Sequence, residues 1–323
     1  MQDNHKSAEH AEDGGDPEWP RNGELAAWRP LPQGVSIRLL SPSVEYPPGE
    51  FRDPGASIVV RPGLVVAITS FHEIKTPEGY YSEIEFLSPF EIRLLASLLL
   101  SWDTESGMFW VYPTSTVRQK PYTGLDLSSP EVLDGLIEEF TACLVRFPGP
   151  EIHRPPCVGG RPYQFNEQSE VRREHQTEIF AAIDVTDHLL IRGLDALIKA
   201  NMLGHSHEFL ENACMSLWVA MEASLRLIQR ELRESGMDNP TSKDAGRFLD
   251  DAFNWESDGY FVGYYNARIR TVHPESRFGV YPAAPLQVDD FYDLYSDLIH
   301  VYDFLLTDHV AEEPEGELPD GLG

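Results

Sequence analysis

Between Phe147 and Pro162 the chain holds five prolines and three glycines. Proline lacks an amide hydrogen and clashes with the preceding helical turn, so neither a helix nor a central strand can run through this stretch. The rest of the chain must fold on one side or the other, and the two sides differ in hydrophobic period. The pattern predicts an α+β N-terminal domain over 26–147, a Pro/Gly-rich linker over 148–165 and an all-α helical bundle over 166–309. The acidic, polar segments 1–25 and 310–323 read as a disordered lead-in and a disordered tail.

In the first half, Val35–Leu40, Ser57–Val60, Leu64–Ser70 and Tyr80–Phe86 are rich in β-branched and aromatic residues and are separated by Pro and Gly, which predicts strands. Met108–Thr116 reads as another strand. Ser88-Pro89-Phe90-Glu91 combines a capping residue, a proline at the first turn and an acid three residues after the cap, so a helix should open there and run to Trp102. Ser129-Pro130-Glu131 opens a second helix toward Phe147. No motif in this half names a chemistry.

Past the linker the period becomes helical. Thr186-Asp187 caps a run that ends near Leu203-Gly204. Leu210, Cys214, Leu217, Met221, Leu225, Ile228 and Leu232 are spaced by three and four, which predicts one buried face on a helix over His207–Glu234 that stops at Ser235-Gly236. Shorter helices follow over Thr241–Phe253 and Ser257–Val272. The second is halted by Pro274, because the residue before a proline avoids the helical region. A last helix spans Val288–Asp308.

The chain carries 25 basic and 53 acidic side chains, a formal net charge of −28. Segment 1–25 has seven acids against two bases and 311–323 has five against none, so the tails carry only part of the excess. Such a field repels phosphate backbones at long range, and a nucleic-acid role has to rest on a local basic pocket or on a partner. Cys143, Cys157 and Cys214 are scattered and odd in number, which predicts reduced thiols in a cytoplasmic protein. No secretory signal is read at the N-terminus, and the longest apolar run, near Leu94–Leu100, is too short for a membrane span. His205-Ser206-His207-Glu208 has metal-binding residue types but makes an incomplete site, so no metal and no cofactor are expected.

Two segments carry a family resemblance. Ser216-Leu217-Trp218-Val219-Ala220-Met221-Glu222-Ala223 resembles the long second helix of HEPN domains, with an aromatic and a glutamate four apart. Gly263-Tyr264-Tyr265-Asn266-Ala267-Arg268-Ile269-Arg270-Thr271-Val272-His273-Pro274 resembles the family's signature, an Arg and then a His at a helix end. The resemblance covers about Asp187–Thr307 and implies an all-α HEPN-like bundle of the Apea-like or ribonuclease type. It further implies a homodimer whose paired sites share one cleft. For catalytic members it implies a metal-independent endoribonuclease of toxin or defence type, with RNA as substrate and a protein partner or antitoxin. Arg268 and His273 would be the catalytic pair, with Glu222, Arg270 and Asn266 in support. Histidine can move a proton near neutrality and arginine can hold a phosphate with two bonds, which is the chemistry that RNA cleavage without a metal requires. Read from the residues alone, Arg268 and Arg270 are equally partners for surface acids, His273 a helix-end cap, and Glu222 half of a structural ion pair, for which Arg268 is one candidate. A catalytically inactive HEPN scaffold serving dimerisation, nucleotide binding or protein interaction is the alternative function.

Overall fold

Ser88 and Glu91 close a reciprocal cap. The Glu91 amide donates to Ser88 Oγ at 3.2 Å, and the Ser88 amide donates to Glu91 Oε2 at 2.7 Å. Pro89 occupies the first helical position, where an amide hydrogen has no helical partner anyway. The helix that starts here, α1, spans Pro89–Trp102, as the sequence predicts. Phe90, Ile92, Leu94, Leu95, Ala96, Leu98, Leu99 and Leu100 point nearly all round its axis and are all buried. A helix that is apolar all round belongs in an interior. Its two central serines are buried as well, and each satisfies its hydroxyl on its own helix, Ser97 on the Leu94 carbonyl and Ser101 on the Ser97 carbonyl.

The computed structural model describes residues 34–42, 49–53, 56–61, 64–71, 73–76, 79–82, 87–102, 111–121, 129–146, 167–204, 207–255, 260–272 and 288–308. The strands are β1 (Gly34–Pro42), β2 (Gly49–Asp53), β3 (Ala56–Arg61), β4 (Leu64–Phe71), β5 (Glu73–Thr76), β6 (Gly79–Ser82) and β7 (Val111–Pro121). Five of them form an antiparallel sheet in the order β2-β3-β4-β1-β7, and β5 pairs with β6. Pro113 and Pro121 lie on β7, at the sheet edge, where a missing amide is tolerated. The predicted Tyr80–Phe86 strand is realised as Gly79–Ser82, with 83–86 outside the described residues, and Met108–Thr116 is shifted to Val111–Pro121.

Seven further helices stand among the described residues: α2 (Pro130–Arg146), α3 (Glu167–Ala182), α4 (His188–Gly204), α5 (Leu210–Glu234), α6 (Ser242–Phe253), α7 (Tyr260–Val272) and α8 (Val288–Thr307). The described chain is therefore mostly helical, with a small antiparallel sheet toward its N-terminal end. Three helix ends follow the sequence signals closely. Asp187 Oδ1 accepts from the Leu189 and Leu190 amides at the start of α4. Thr241 and Asp244 form a capping box on α6. After α5, Gly236 adopts φ +94°, and the amides of Met237 and Gly236 return to the carbonyls of Leu232 and Arg233, a Schellman end that needs a residue free of Cβ crowding. None of the described helices is long and apolar enough to cross a membrane.

α1 packs against α3, α4 and α8, and α4 lies along α5. One cluster of buried side chains runs from Ile58 and Ala67 of the sheet through α1 into α4, α5 and α8. The Pro/Gly-rich stretch lies outside the described residues, but the core is continuous across the two halves that it separates in sequence. The register explains the join. Phe51, Ile58, Ala67 and Arg38 are cross-strand neighbours in one row, and therefore share a face of the sheet. At one end of that row the Phe51 ring sits 5.2 Å from Phe180 of α3. At the other, Arg38 Nε lies 3.0 Å from Glu91 Oε1, with the Glu91 side chain only 2% exposed. Phe180 is also met edge-on by Phe90 at 6.0 Å and covered by the Arg93 guanidinium at 4.2 Å, while Arg93 donates to the Phe180 carbonyl.

Two more contacts set the helix spacing. A Cβ at Gly193 of α4 would fall 2.0 Å from Tyr302 Oη and 3.0 Å from Ala223 Cβ, so only glycine lets α4, α5 and α8 meet there. The Tyr302 hydroxyl then donates to the Ala220 carbonyl at 2.7 Å. On the opposite side His175 ties α3 to α8. Its Nε2 is 3.0 Å from the Asp303 carboxylate and its Nδ1 is 3.5 Å from Glu178. Since both ring nitrogens face carboxylates, the protonated ring fits best. The bond to Asp303 holds the imidazole pKa above its ordinary value against the opposing effect of burial.

Two outcomes follow. Arg38→Met should destabilise the fold by about 3–5 kcal/mol, because it strands a buried carboxylate. Burial already pushes the Glu91 carboxyl up in spite of Arg38 and the Ser88 bonds. The deficit should therefore shrink as pH falls and Glu91 takes up a proton, which urea unfolding at about pH 7.5 and about pH 5 would show. For His175 the sign is reversed. A raised imidazole pKa stabilises fully below the unfolded value of 6.5 and loses that stabilisation as pH rises through the folded value. His175→Gln should cost about 1 kcal/mol at about pH 6 and close to nothing at about pH 9, by thermal or urea unfolding.

Candidate functional site

The helix that carries the sequence signature, α7, is anchored at its start and exposed further along. Tyr260 and Phe261 are buried, with the Tyr260 ring 5.5 Å from Trp255 and 5.0 Å from Tyr264. Burial drives the Tyr260 phenol pKa well above its usual value, and its Oη has no hydrogen-bond partner among the described residues. One turn on, the Tyr264 hydroxyl donates to Asp297 Oδ2 of α8 at 2.6 Å. Burial pushes the Asp297 carboxyl up, against the lowering effect of that bond and of His300. α7 packs against α6 and α5, and this bond ties it to α8 as well.

Arg268 stands one turn beyond Tyr264. Its side chain is part-exposed, and its guanidinium carbon lies 6.0 Å from the Tyr265 ring centroid. That distance is at the outer limit of a cation–π contact. Asn266 is exposed on the same helix. The backbone of Arg270 belongs to α7, but its side chain, like that of Ile269, is outside the described residues. α7 ends at Val272, where the proline rule puts its end, and His273 lies outside the described residues. The structure therefore positions Arg268 and Asn266 but carries no geometry for the Arg268–His273 pair.

Glu222 lies on α5 and is close to half exposed, with Arg226 Nε at 3.5 Å. Among the described residues no ion pair joins it to Arg268, so the arginine that it meets is the one a turn away on its own helix. Pairing of this kind is general in this acidic chain. Arg38 meets Glu91, Arg52 meets Glu50, Arg192 meets Asp195, Arg230 meets Asp187 and Arg247 meets Asp244. Arg268 has no such acid partner among the described residues, nor do Arg173 and Arg233, and Arg93 donates to a carbonyl instead.

His207–Phe209 forms a short 3-10 turn, with His205 and Ser206 outside the described residues. Among the described residues no group of three or more His, Cys, Asp or Glu side chains is placed to hold a metal ion. Sequence reasoning did not mark Asp297, Asp303 or His175 as interacting. Their partners come from other helices, and no local pattern announces a contact made across such a separation. Compared with protein-family models, with curated proteins and with solved structures, the chain matches none.

If the Tyr264–Asp297 bond ties α7 to α8, Tyr264→Phe should lower stability by about 1–3 kcal/mol near neutrality, the range for a hydrogen bond to a charged group. The bond is strongest to the ionised carboxylate, and burial raises the Asp297 pKa, so the loss should diminish as pH falls and Asp297 protonates. Urea unfolding of the variant and the parent across the acid range would reveal a constant difference if the bond carries no charge.

Proposed function

We propose that residues 166–309 form a HEPN-type bundle, and that Arg268 and His273 at the end of α7 make an anion site that cleaves RNA without a metal. The observation that carries this reading is Arg268 itself, a part-exposed guanidinium without an acid partner among the described residues, in a chain with 53 acids against 25 bases. Most of the arginines named above are neutralised by an acid, whereas Arg268, like Arg173 and Arg233, makes no ion pair among the described residues. A guanidinium without an acid stays available to hold a phosphate through two parallel bonds. α7 is described to Val272, the residue before His273, and a residue that precedes a proline, as His273 precedes Pro274, avoids the helical region. In this reading His273 takes or gives the proton of the 2′-hydroxyl or the leaving 5′-oxygen, and Arg268 stabilises the charge that builds on the phosphorus. A homodimer would set two such sites in one cleft, and the sheet half would contact a protein partner or select the RNA. The toxin or defence assignment belongs to the same proposal.

One residue favours a second reading. Ile269 follows Arg268, whereas the resemblance leads to a polar residue there in catalytic members. An apolar side chain beside the arginine suits a scaffold that keeps the bundle for dimerisation, nucleotide binding or protein interaction without chemistry.

The two readings part on a single assay. Full-length protein incubated with RNA in EDTA should give fragments ending in 2′,3′-cyclic phosphate. Arg268→Ala and His273→Ala should each slow cleavage by about 10²–10⁴-fold while leaving the far-UV circular dichroism unchanged. RNA that stays intact with the parent protein, or cleavage that is indifferent to both substitutions, would leave the scaffold reading, for which the dimer persists in His273→Ala.

A further inference from the structure

α7 is rooted at one end and lies open along much of the rest. At its root Tyr260 and Phe261 are buried, and the Tyr260 ring meets Trp255, just past α6, at 5.5 Å and Phe261 edge-on at 4.9 Å. Farther along, Val262, Tyr265 and Asn266 are exposed, and Tyr264 and Arg268 are half-buried. Tyr260, Tyr264 and Arg268 follow one another at intervals of four residues, so they share one slowly turning stripe of the helix. The Tyr264 hydroxyl is tied to Asp297 of α8 at 2.6 Å, one turn before Arg268. Between root and tie lies Gly263. Gly193 and Gly204 are glycines because a Cβ there would fall 2.0 Å from Tyr302 Oη and 2.5 Å from the Phe291 ring. At Gly263 a Cβ would meet nothing within 4 Å among the described residues, and φ is not positive. Neither packing nor backbone geometry calls for a glycine there, and its main effect is to weaken the helix at that point.

We infer that Gly263 is a hinge and the Tyr264–Asp297 bond a latch, so that the arm of α7 from Tyr264 to Val272 opens while the rest of the bundle stays folded, and carries Arg268 with it. Opening the arm breaks the latch and about two turns of helical bonds. It brings little new apolar surface into water, because Val262, Tyr265 and Asn266 already face it. Opening the root would expose Tyr260 and Phe261 and belongs with unfolding of the core. The open arm is therefore reached at a lower cost than the unfolded chain, and with less dependence on denaturant, which follows newly exposed surface. A hinge of this kind needs only a residue or two that absorb the change in backbone angles. The inference does not rest on the RNA-cleavage reading, because Arg268 moves with the arm whatever it holds.

The test is native-state amide hydrogen exchange, followed by NMR on full-length protein at about pH 7 in rising urea below the unfolding transition. In the parent, the amides of residues 266–272 should exchange faster than those of Leu217–Ile228 in α5, and with a weaker dependence on urea. Tyr264→Phe should speed exchange along the arm by about five- to a hundredfold and leave that dependence weak. Gly263→Ala acts in the opposite sense: its methyl enters open space, and it should slow exchange along the arm by about two- to fivefold. The proposal is overturned if the arm and α5 exchange with the same urea dependence in the parent, since α7 then opens only with the whole molecule. It is equally overturned if Tyr264→Phe leaves exchange along the arm unchanged, or if Gly263→Ala fails to slow it.

Discussion

A carboxylate with 2% of its side chain exposed must find partners for its charge, and Glu91 finds them on two sides. One oxygen receives the Ser88 amide and closes the cap of α1, and the other faces Arg38 of β1. Desolvation opposes the charged form in both places, and the guanidinium opposes the desolvation. Glutamine could keep the cap but would take from buried Arg38 the carboxylate 3.0 Å away, and leucine would lose both. The position of the sheet on α1 is therefore set by a pair of charges as well as by apolar area. A buried pair of this kind adds little net stability over apolar residues of the same shape. What it does is penalise any other register, since sliding β1 by one residue would turn Arg38 to the opposite face.

Much of this was readable from local chemistry. Caps and stops written in three or four consecutive residues, at Ser88–Glu91, Asp187, Thr241–Asp244 and Ser235-Gly236, mark helix ends where the structure has them. The signals that failed were those that need a distant partner. α3 reads EQSEVRREHQTEIFAA, with too few apolar residues to show a period, and it is held by Phe180, by Ile179 and by His175 on Asp303. β2, with Glu50 and Arg52 beside Phe51, has no run of β-branched residues and is a strand because β3 pairs with it. That α1 is wholly enclosed could have been read from its all-round apolar sequence, but which helices enclose it could not. At the candidate site, Arg268 was identified by motif alone. Its pairing was not legible, because whether an arginine finds an acid depends on the helices around it. The expectation for Glu222 shows the same limit: an arginine four residues away on its own helix is always within reach, and a distant one only when the fold brings it there.

The acidity of the chain gives the individual arginines their meaning. With acids in excess by two to one, each arginine has many acids to choose from, and the ion pairs on α4, α5 and α6 mostly join residues three or four apart. Exposed pairs of this kind contribute little to stability. Their effect is to consume cationic surface, leaving few places where an anion would be welcome and several where a cation would. Arg268, beside Tyr265, is of the first kind.

The enclosure of α1 also bears on how the chain is made. α8, which covers part of α1, begins roughly 190 residues after α1 ends, a delay of about 10–40 s at ordinary elongation rates. During that interval a segment whose polar side chains are Glu91, Arg93 and two serines has the sheet, and then α3 and α4, against which to shelter. The part of α1 that α8 covers stays open until α8 has emerged, which leaves leucines of the later core within reach of a holding chaperone during synthesis.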